Sequence, residues 1–227
     1  MLIPYQVDTL FQRTPWANVG IIVVNVAVFI LMLCGVIPDA VVQQMVLSQW
    51  SLSQLITYQF LHAGFLHLLF NMLYLWVFGN AVCAIVDVWI YPGLYLVLGI
   101  FAGVVHMLAS GLPVVGASGA ISGIMGFYLA VYPTNKISCF WMFFVRTGTF
   151  ELSGYILILL WFGVNLFSAF AGGGHVAYWS HAGGFVGGFF LGIVFLKLNL
   201  VDRTDVDLPD VLGLLRETRS KNRGEAE

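Results

Sequence analysis

Three short polar clusters interrupt apolar stretches of this chain. They are His62, His67 and Asn71; Gly116-Ala117-Ser118-Gly119; and Ser180-His181 with Gly184 and Gly188 after it. The clusters contain a hydroxyl that can act as a nucleophile, imidazoles that can act as its base, and donors that can stabilise an oxyanion. Because polar groups are costly in apolar segments, we interpret the clusters as one site with the parts needed to hydrolyse a peptide bond.

Ser118 and His181 are the candidate nucleophile and general base. Ser118 lies between Gly116 and Gly119, so a substrate backbone can approach its hydroxyl closely. After His181, glycine recurs every fourth residue, at Gly184, Gly188 and Gly192, and this pattern permits close packing of two membrane helices. Such packing would bring the Ser118 hydroxyl within hydrogen-bond reach of the His181 ring. The alternative is that Ser118 is one more small residue at a helix contact, bonded to its own helix backbone.

His67 and Asn71 are the candidate oxyanion donors. They are four residues apart, so they share one helix face and can aim at a common point. The alternative is a pair of polar residues that bond neighbouring helices. His62 either supports this pair or marks the interfacial end of its helix. Since no Asp or Glu lies in the outer half of any predicted span, apart from Asp39 near the end of the first, we expect a serine–histidine dyad without an acidic third member.

The remaining histidines and the cysteines form no metal-binding pattern. His106 and Asn165 lie in apolar segments away from the small-residue clusters, and we assign both to hydrogen bonds between helices. His175 lies in a Gly-rich loop and is expected to be solvated. The sequence has no His-Glu-x-x-His or Cys-x-x-Cys pattern, so no metal or cofactor is expected and zinc catalysis is the less favoured alternative. The scattered cysteines are interpreted as packing residues: Cys34, Cys83 and Cys139.

Composition indicates that the segments carrying these residues cross a membrane. The 227 residues are 60% apolar and 9% charged, with a mean hydropathy of +0.93, whereas about 25% of a soluble domain is charged. The net charge of -2 leaves no basic surface for nucleic acid. A spanning helix needs about 20 apolar residues, which predicts an all-α polytopic membrane protein with a six-transmembrane-helix bundle. The spans are 18–37, 57–78, 92–110, 116–133, 153–171 and 177–198.

The placement of charge predicts the orientation of the chain. All nine Lys and Arg residues lie before the first span, in the loop after the fourth, or at the C-terminal end, and the loops 38–56, 111–115 and 172–176 have none. By the positive-inside rule, both termini are cytoplasmic. The chain then divides into a cytoplasmic N-terminal segment (1–17), a membrane domain (18–198) and a cytoplasmic C-terminal tail (199–227), and the first span is expected to act as a signal anchor.

This orientation places the polar clusters at a common depth. The second, fourth and sixth spans all run from outside to inside, and each carries its cluster near its start. By helix rise, the clusters lie within roughly 10 Å of the outer boundary. The segment from Lys136 to Glu151, which follows the fourth span, is interpreted as an interfacial hairpin. In the tail, we prefer a solvated segment to a short amphipathic helix over residues 208–216.

The ordered motifs resemble those of the rhomboid intramembrane serine proteases of the basic six-helix prokaryotic type. The resemblance rests on residues 59–72 (QFLHAGFLHLLFNM), on Gly116-Ala117-Ser118-Gly119, and on His181 with Gly184 and Gly188 in HxxGxxxG spacing. It implies that Ser118 is the nucleophile and His181 its base, while Asn71, His67 and the Ser118 backbone amide hold the oxyanion. It also implies single-pass or other membrane-protein substrates, cut near the outer face of a prokaryotic inner membrane.

Two positions depart from the family pattern. Ser122 stands where many members carry an aromatic residue that stacks on the catalytic histidine, and Cys83 stands where a glutamate is usual. The imidazole therefore needs another partner to orient it. These departures keep open a catalytically inactive rhomboid-like protein that binds or escorts membrane clients. A small transporter with a histidine proton relay is less favoured, because the polar residues cluster at one face without a path across the membrane.

Overall fold

Long apolar helices dominate the computed structural model, which describes residues 2–9, 13–143, 146–171, 176–202 and 209–224. In chain order the elements are β1 (Leu2–Val7), α1 (Trp16–Leu33), α2 (Asp39–Met45), α3 (Leu52–Thr57), α4 (Phe65–Tyr74), α5 (Asn80–Cys83), α6 (Tyr91–Ala109), α7 (Ser118–Val131), β2 (Lys136–Phe143), β3 (Arg146–Ser153), α8 (Gly154–Phe170), α9 (Tyr178–Lys197) and α10 (Val211–Gly224). A π-helical segment, Leu75–Gly79, joins α4 to α5 into one continuous helix.

Six apolar helices form the bundle that the sequence predicts. Four are long and apolar enough to cross a membrane: α1, the α4–α5 helix, α6 and α9. The other two, α7 and α8, are apolar but shorter, with 14 and 17 residues. The prediction of an all-α polytopic bundle is therefore confirmed. In the tail, α10 is helical over Val211–Gly224, which extends beyond the short helix over residues 208–216 that was the alternative to a solvated segment.

Helix α7 lies at the centre of this bundle. Every residue from Gly119 to Val131 is buried, and α6, α8 and α9 all pack against it. By contrast, Leu108 on α6 and Phe167 on α8 are each 74% exposed. A helix that is apolar all round is covered by other helices or by lipid, so these exposed apolar side chains belong to the surface that faces the bilayer.

The second membrane helix begins later than the sequence pattern predicts. The predicted span was 57–78, whereas the helix runs over Phe65–Cys83. Apolar residues upstream form instead the short helix α3 and a 3-10 turn over Tyr58–Phe60. Gly64 has an extended backbone and directly precedes the first residue of the spanning helix, so the chain changes direction there. Hydropathy alone does not separate a short buried helix from the spanning helix that follows it.

A small antiparallel sheet lies outside the helical bundle. The hairpin expected over Lys136–Glu151 is present, with β2 paired to β3 from Lys136↔Ser153 to Phe143↔Arg146. The N-terminal strand β1 adds to the other edge of β2, which the sequence analysis did not predict. This pairing is long-range, so no local pattern in residues 2–7 identifies it.

Contacts of charged and backbone groups bring four chain segments to the same end of the bundle. Arg13, before α1, forms ion pairs with Asp87 after α5, at 3.8 Å, and with Asp202 after α9. The backbone amide of Asp8 donates to the carbonyl of Lys136, after α7, at 2.9 Å. In the predicted six-span arrangement, an even number of membrane crossings separates each pair of these segments, so their contact at one end of the bundle agrees with that prediction.

Asn18 supplies the hydrogen bonds that the π-helical segment needs. Its amide Nδ2 donates to the Leu75 carbonyl at 2.9 Å and to Asn80 Oδ1 at 2.8 Å, and its Oδ1 accepts from the Tyr91 hydroxyl at 2.8 Å. Irregular helical segments at membrane depth are tolerated where neighbouring groups satisfy the backbone. Asn18 therefore ties α1 to the α4–α5 helix and to α6.

We expect Asn18→Leu to lower the free energy of unfolding by about 1–3 kcal/mol, because it removes the partner of the buried Leu75 carbonyl and Tyr91 hydroxyl. Denaturation of the purified protein in detergent measures this change. The matched control is Asn25→Leu on the same helix, where the amide donates to the Ile21 carbonyl of its own helix at 2.8 Å. A loss no larger than that of the control would contradict the assignment.

Candidate active site

The backbones of α7 and α9 touch directly at glycine positions. A Cβ added at Gly184 would collide with the backbone carbonyl of Gly119, and one added at Gly188 would collide with that of Gly123. In the reverse direction, a Cβ at Gly126 would collide with the carbonyl of Phe185. The close contact expected from the glycine spacing is thus present, and it places the starts of α7 and α9 side by side.

This contact brings Ser118 and His181 together. Ser118 is the first residue of α7 and His181 lies in the first turn of α9. The Ser118 Oγ and the His181 Nε2 are 2.8 Å apart, which is hydrogen-bond distance. The alternative for Ser118 was a bond from its hydroxyl to its own helix backbone. The residue that makes such a bond is Ser122, whose Oγ donates to the Ser118 carbonyl at 2.6 Å.

Asn165 on α8 contacts the other nitrogen of the same ring. Its Oδ1 lies 2.7 Å from His181 Nδ1, while its Nδ2 donates to the Trp161 carbonyl at 2.8 Å. Because the amide nitrogen of Asn165 is bound to the Trp161 carbonyl, its oxygen points toward the His181 ring. An amide oxygen only accepts, so this contact is a hydrogen bond when Nδ1 carries the proton, and in that tautomer Nε2 is free to accept from the Ser118 hydroxyl.

Sequence reasoning assigned Asn165 to bonding between helices and missed that its partner is His181. A signal was present in the predicted topology. The fifth span runs from inside to outside, and Asn165 lies near its outer end, at the depth of the three polar clusters. The depth at which polar residues lie in the second, fourth and sixth spans predicts the three clusters as one site, and the same comparison for the fifth span includes Asn165.

Two aromatic rings pack against the imidazole of His181. The Trp161 ring stacks on the imidazole, with centroids 5.9 Å apart and planes at 29°, and Tyr178 meets it edge-on at 6.2 Å. The family pattern places a stacking ring at the position occupied here by Ser122. In this chain Trp161, from α8, makes the stacking contact instead.

His67 and Asn71 both face the turn that precedes Ser118. Gly116 has φ +125°, a conformation that favours glycine, and a Cβ added there would lie 2.9 Å from His67 Nε2 and 3.8 Å from Asn71 Nδ2. Among the described residues, the buried Asn71 Nδ2 has no hydrogen-bond partner. An unpaired buried donor is costly, and Asn71 lines the same cavity as Ser118, so its amide is available to donate to a group bound there.

His67 also presents a donor to this turn. Its Nδ1 accepts a hydrogen bond from the backbone amide of Ala63 at 3.3 Å, so its Nε2 carries the proton. His62 is buried and packs edge-on against the His67 ring, with centroids 5.2 Å apart. His62 therefore supports the orientation of His67 by packing.

A cavity of about 900 Å³ opens beside these groups. Ser118, His181, His67 and Asn71 all line it, so the four side chains share one space. His106 lines the cavity as well, and its Nε2 bonds the Leu112 carbonyl at 3.0 Å, which anchors the loop before α7. Its expected bond to another helix is thus a bond to this loop.

No cluster of three His, Cys, Asp or Glu residues suited to a metal ion occurs in the described part of the chain. Of the cysteines, Cys83 and Cys139 are buried and Cys34 is exposed. The exposed Cys34 lies at the end of α1, so only the other two contribute to packing inside the protein. His175 lies outside the described residues.

The fold and the site together define this protein as a polytopic membrane protein with a serine–histidine pair at the wall of a cavity. The family model described as the Rhomboid domain matches residues 49–198, and the chain belongs to the rhomboid family. A curated relative, Rhomboid protease GluP of Bacillus subtilis (strain 168), is 35% identical over 123 residues, which cover 54% of this chain and 22% of the relative. The aligned part is thus about a fifth of that relative's length.

We expect Gly188→Ala to lower the free energy of unfolding by about 3 kcal/mol, the upper range for overpacking, because the Gly123 backbone has no rotamer by which to make room. The matched control is Gly163→Ala on α8, where an added Cβ meets nothing within 4 Å; it should be neutral or stabilise the helix by up to about 1 kcal/mol. Equal effects of the two substitutions in denaturation experiments would contradict the direct backbone contact.

Proposed function

We propose that this protein is an intramembrane serine endopeptidase with Ser118 as nucleophile and His181 as general base. The observation that carries the proposal is the 2.8 Å separation of Ser118 Oγ and His181 Nε2 at a cavity that also receives the unpaired amide of Asn71. The name of the GluP relative, a rhomboid protease, supports the same reaction class.

In the proposed reaction, the Ser118 oxygen attacks a substrate carbonyl as its proton moves to His181 Nε2. The carbonyl oxygen becomes negatively charged in the tetrahedral intermediate. Asn71 Nδ2, His67 Nε2 and the Ser118 backbone amide are the donors proposed for it. His181 then returns its proton to the leaving amine as the peptide bond breaks. A water molecule, deprotonated by His181, hydrolyses the acyl-enzyme and restores the Ser118 hydroxyl.

The proposed substrates are transmembrane segments of other membrane proteins. An intact helix holds its carbonyls in internal hydrogen bonds, so the cut segment has to unwind before Ser118 can attack. Helix-breaking or small residues near the outer end of a substrate span therefore favour cleavage. The cavity, bounded by polar groups and the loop before α7, is where the unwound backbone would lie.

The proposed location is the inner membrane of a prokaryote, with both termini in the cytoplasm. The distribution of Lys and Arg supports this orientation, because all nine lie in segments assigned to one side. The contacts of Arg13 with Asp87 and Asp202 support the same grouping of segments. In this orientation the start of α7, with Ser118, lies toward the outer leaflet.

The competing function is that of an inactive family member that binds membrane clients without cutting them. Its support in the sequence is the two departures from the family pattern, Ser122 and Cys83. The stacking of Trp161 on His181 removes the support from Ser122, since the ring is oriented from another helix.

Cleavage of a single-pass membrane protein by the purified protein in detergent tests the proposal. We expect Ser118→Ala and His181→Ala each to abolish cleavage, because each removes one of the two groups that exchange the proton. Ser53→Ala, which removes an exposed hydroxyl in the outer loop, serves as the control with the parent rate. A fluorophosphonate probe should label Ser118 in the parent. Persistent cleavage by Ser118→Ala would assign the reaction to another residue.

Asn71→Ala should lower kcat by roughly 10²- to 10³-fold with little change in KM, because an oxyanion donor acts mainly in the transition state. Single-turnover cleavage and initial rates separate the two parameters. Asn80→Ala is the control, since Asn80 lies further along the same continuous helix and bonds Asn18 rather than lining the cavity. Asn80→Ala should lower the free energy of unfolding and leave kcat close to the parent value. A normal kcat in Asn71→Ala would exclude this amide from the oxyanion site.

A further inference from the structure

Asn165 touches the proposed base but does not line the cavity. It is only 6% exposed, and the cavity wall is formed by other residues, among them Ser168 and Ala169 of the same helix. Its Oδ1 lies 2.7 Å from His181 Nδ1, on the side of the ring opposite Ser118. Any effect of Asn165 on a substrate therefore passes through the imidazole.

We propose that Asn165 is a positioning residue that selects the reactive tautomer of His181 and stabilises its protonated form. This inference rests on the proposed proteolytic function. A neutral imidazole can carry its proton on either nitrogen, and only the form protonated at Nδ1 leaves Nε2 free to accept from Ser118. The Asn165 oxygen favours that form because it offers an acceptor at Nδ1.

The same contact acts during proton transfer. When the Ser118 proton moves to Nε2, the ring becomes positively charged, and the bond from Nδ1–H to Asn165 becomes a stronger, charge-assisted one. Asn165 itself takes no proton, so the Nδ1 proton stays on His181 throughout. In the low-dielectric interior of a membrane protein, this stabilisation of the imidazolium is worth more than in water.

Two features of α8 hold the acceptor in place. The Asn165 amide nitrogen is bound to the Trp161 carbonyl one turn earlier, which prevents the amide from flipping. The Trp161 ring stacks on the imidazole, so a single helix contacts the ring at both its face and its Nδ1 edge. A neutral amide also avoids the desolvation cost that a buried carboxylate would have here.

The test compares Asn165→Leu, which keeps the size and removes the acceptor, with Asn165→Asp, which keeps an acceptor oxygen. We expect Asn165→Leu to lower kcat by roughly 10²-fold, the size of a general-base contribution, with KM unchanged within about twofold because the residue lies outside the cavity. Asn165→Asp should recover most of the rate. The matched control is Asn25→Leu, which removes a buried asparagine with the same bond to the carbonyl four residues earlier and should leave kcat unchanged.

The pH profile separates positioning from general damage to the fold. Around His181, the titratable neighbours are His67 from α4, His106 from α6 and Tyr178 from its own helix. A carboxylate in Asn165→Asp would stabilise the imidazolium, so the acidic limb of the kcat profile should move to higher pH. Asn165→Leu should move it to lower pH. Nitrogen-15 NMR of labelled histidine should show the proton on Nδ1 in the parent and a mixed tautomer in Asn165→Leu.

The outcomes distinguish the two proposals. If the parent cleaves and Ser118→Ala does not, while Asn165→Leu retains the parent kcat and tautomer, the role of Asn165 is overturned and the proposed function stands. If the parent neither cleaves nor reacts with the fluorophosphonate probe, the proposed function fails and this inference fails with it. Losses of kcat that are equal in Asn165→Leu and Asn25→Leu would also overturn the inference.

Discussion

The direct backbone contact between α7 and α9 is the constraint on which the rest of the structure depends. The Gly184 and Gly188 positions of α9 lie against the carbonyls of Gly119 and Gly123 with no side chain between them. In a bilayer, the hydrophobic effect does not drive one helix onto another, so close packing has to supply much of the association. At this separation, the short Ser118 side chain reaches His181. If a methyl group at Gly184 or Gly188 pushed the two helices apart, the hydrogen bond between Ser118 and His181 would break.

The site is assembled from the ends of four helices around this contact. Helix α7 contributes Ser118, α9 contributes His181, α4 contributes His67 and Asn71, and α8 contributes Trp161 and Asn165. Each helix thus contributes one part of the arrangement: the hydroxyl, the ring, the proposed anion donors, or the groups that contact the ring at its face and at Nδ1. Because rigid helices carry these side chains, their relative positions are set by packing. The polar groups lie beside a cavity rather than against lipid, as intramembrane polar groups require.

Much of this arrangement could be predicted from residue types and spacing. The glycine recurrence after His181 and the small residues around Ser118 predicted which helix faces meet, and the alternation of span direction predicted that Ser118, His181 and Asn71 share a depth. Asn165 was missed because it is a single polar residue in an apolar span, outside the three polar clusters. The β1 strand and the late start of α4 depend on pairing and packing between distant segments. Such tertiary contacts leave no local periodicity in the sequence.

The order of the elements along the chain has a consequence for biosynthesis. His181 belongs to the last of the six apolar helices, whereas Ser118, His67 and Asn71 belong to earlier ones. While the chain is still emerging from the ribosome, its serine lacks the His181 imidazole that accepts its hydrogen bond, and a serine hydroxyl without a base is a weak nucleophile. Insertion of α9 and docking of its glycine face then complete the pair. If Ser118 acts as proposed, the nascent protein has no complete serine–histidine pair until its last apolar helix has docked.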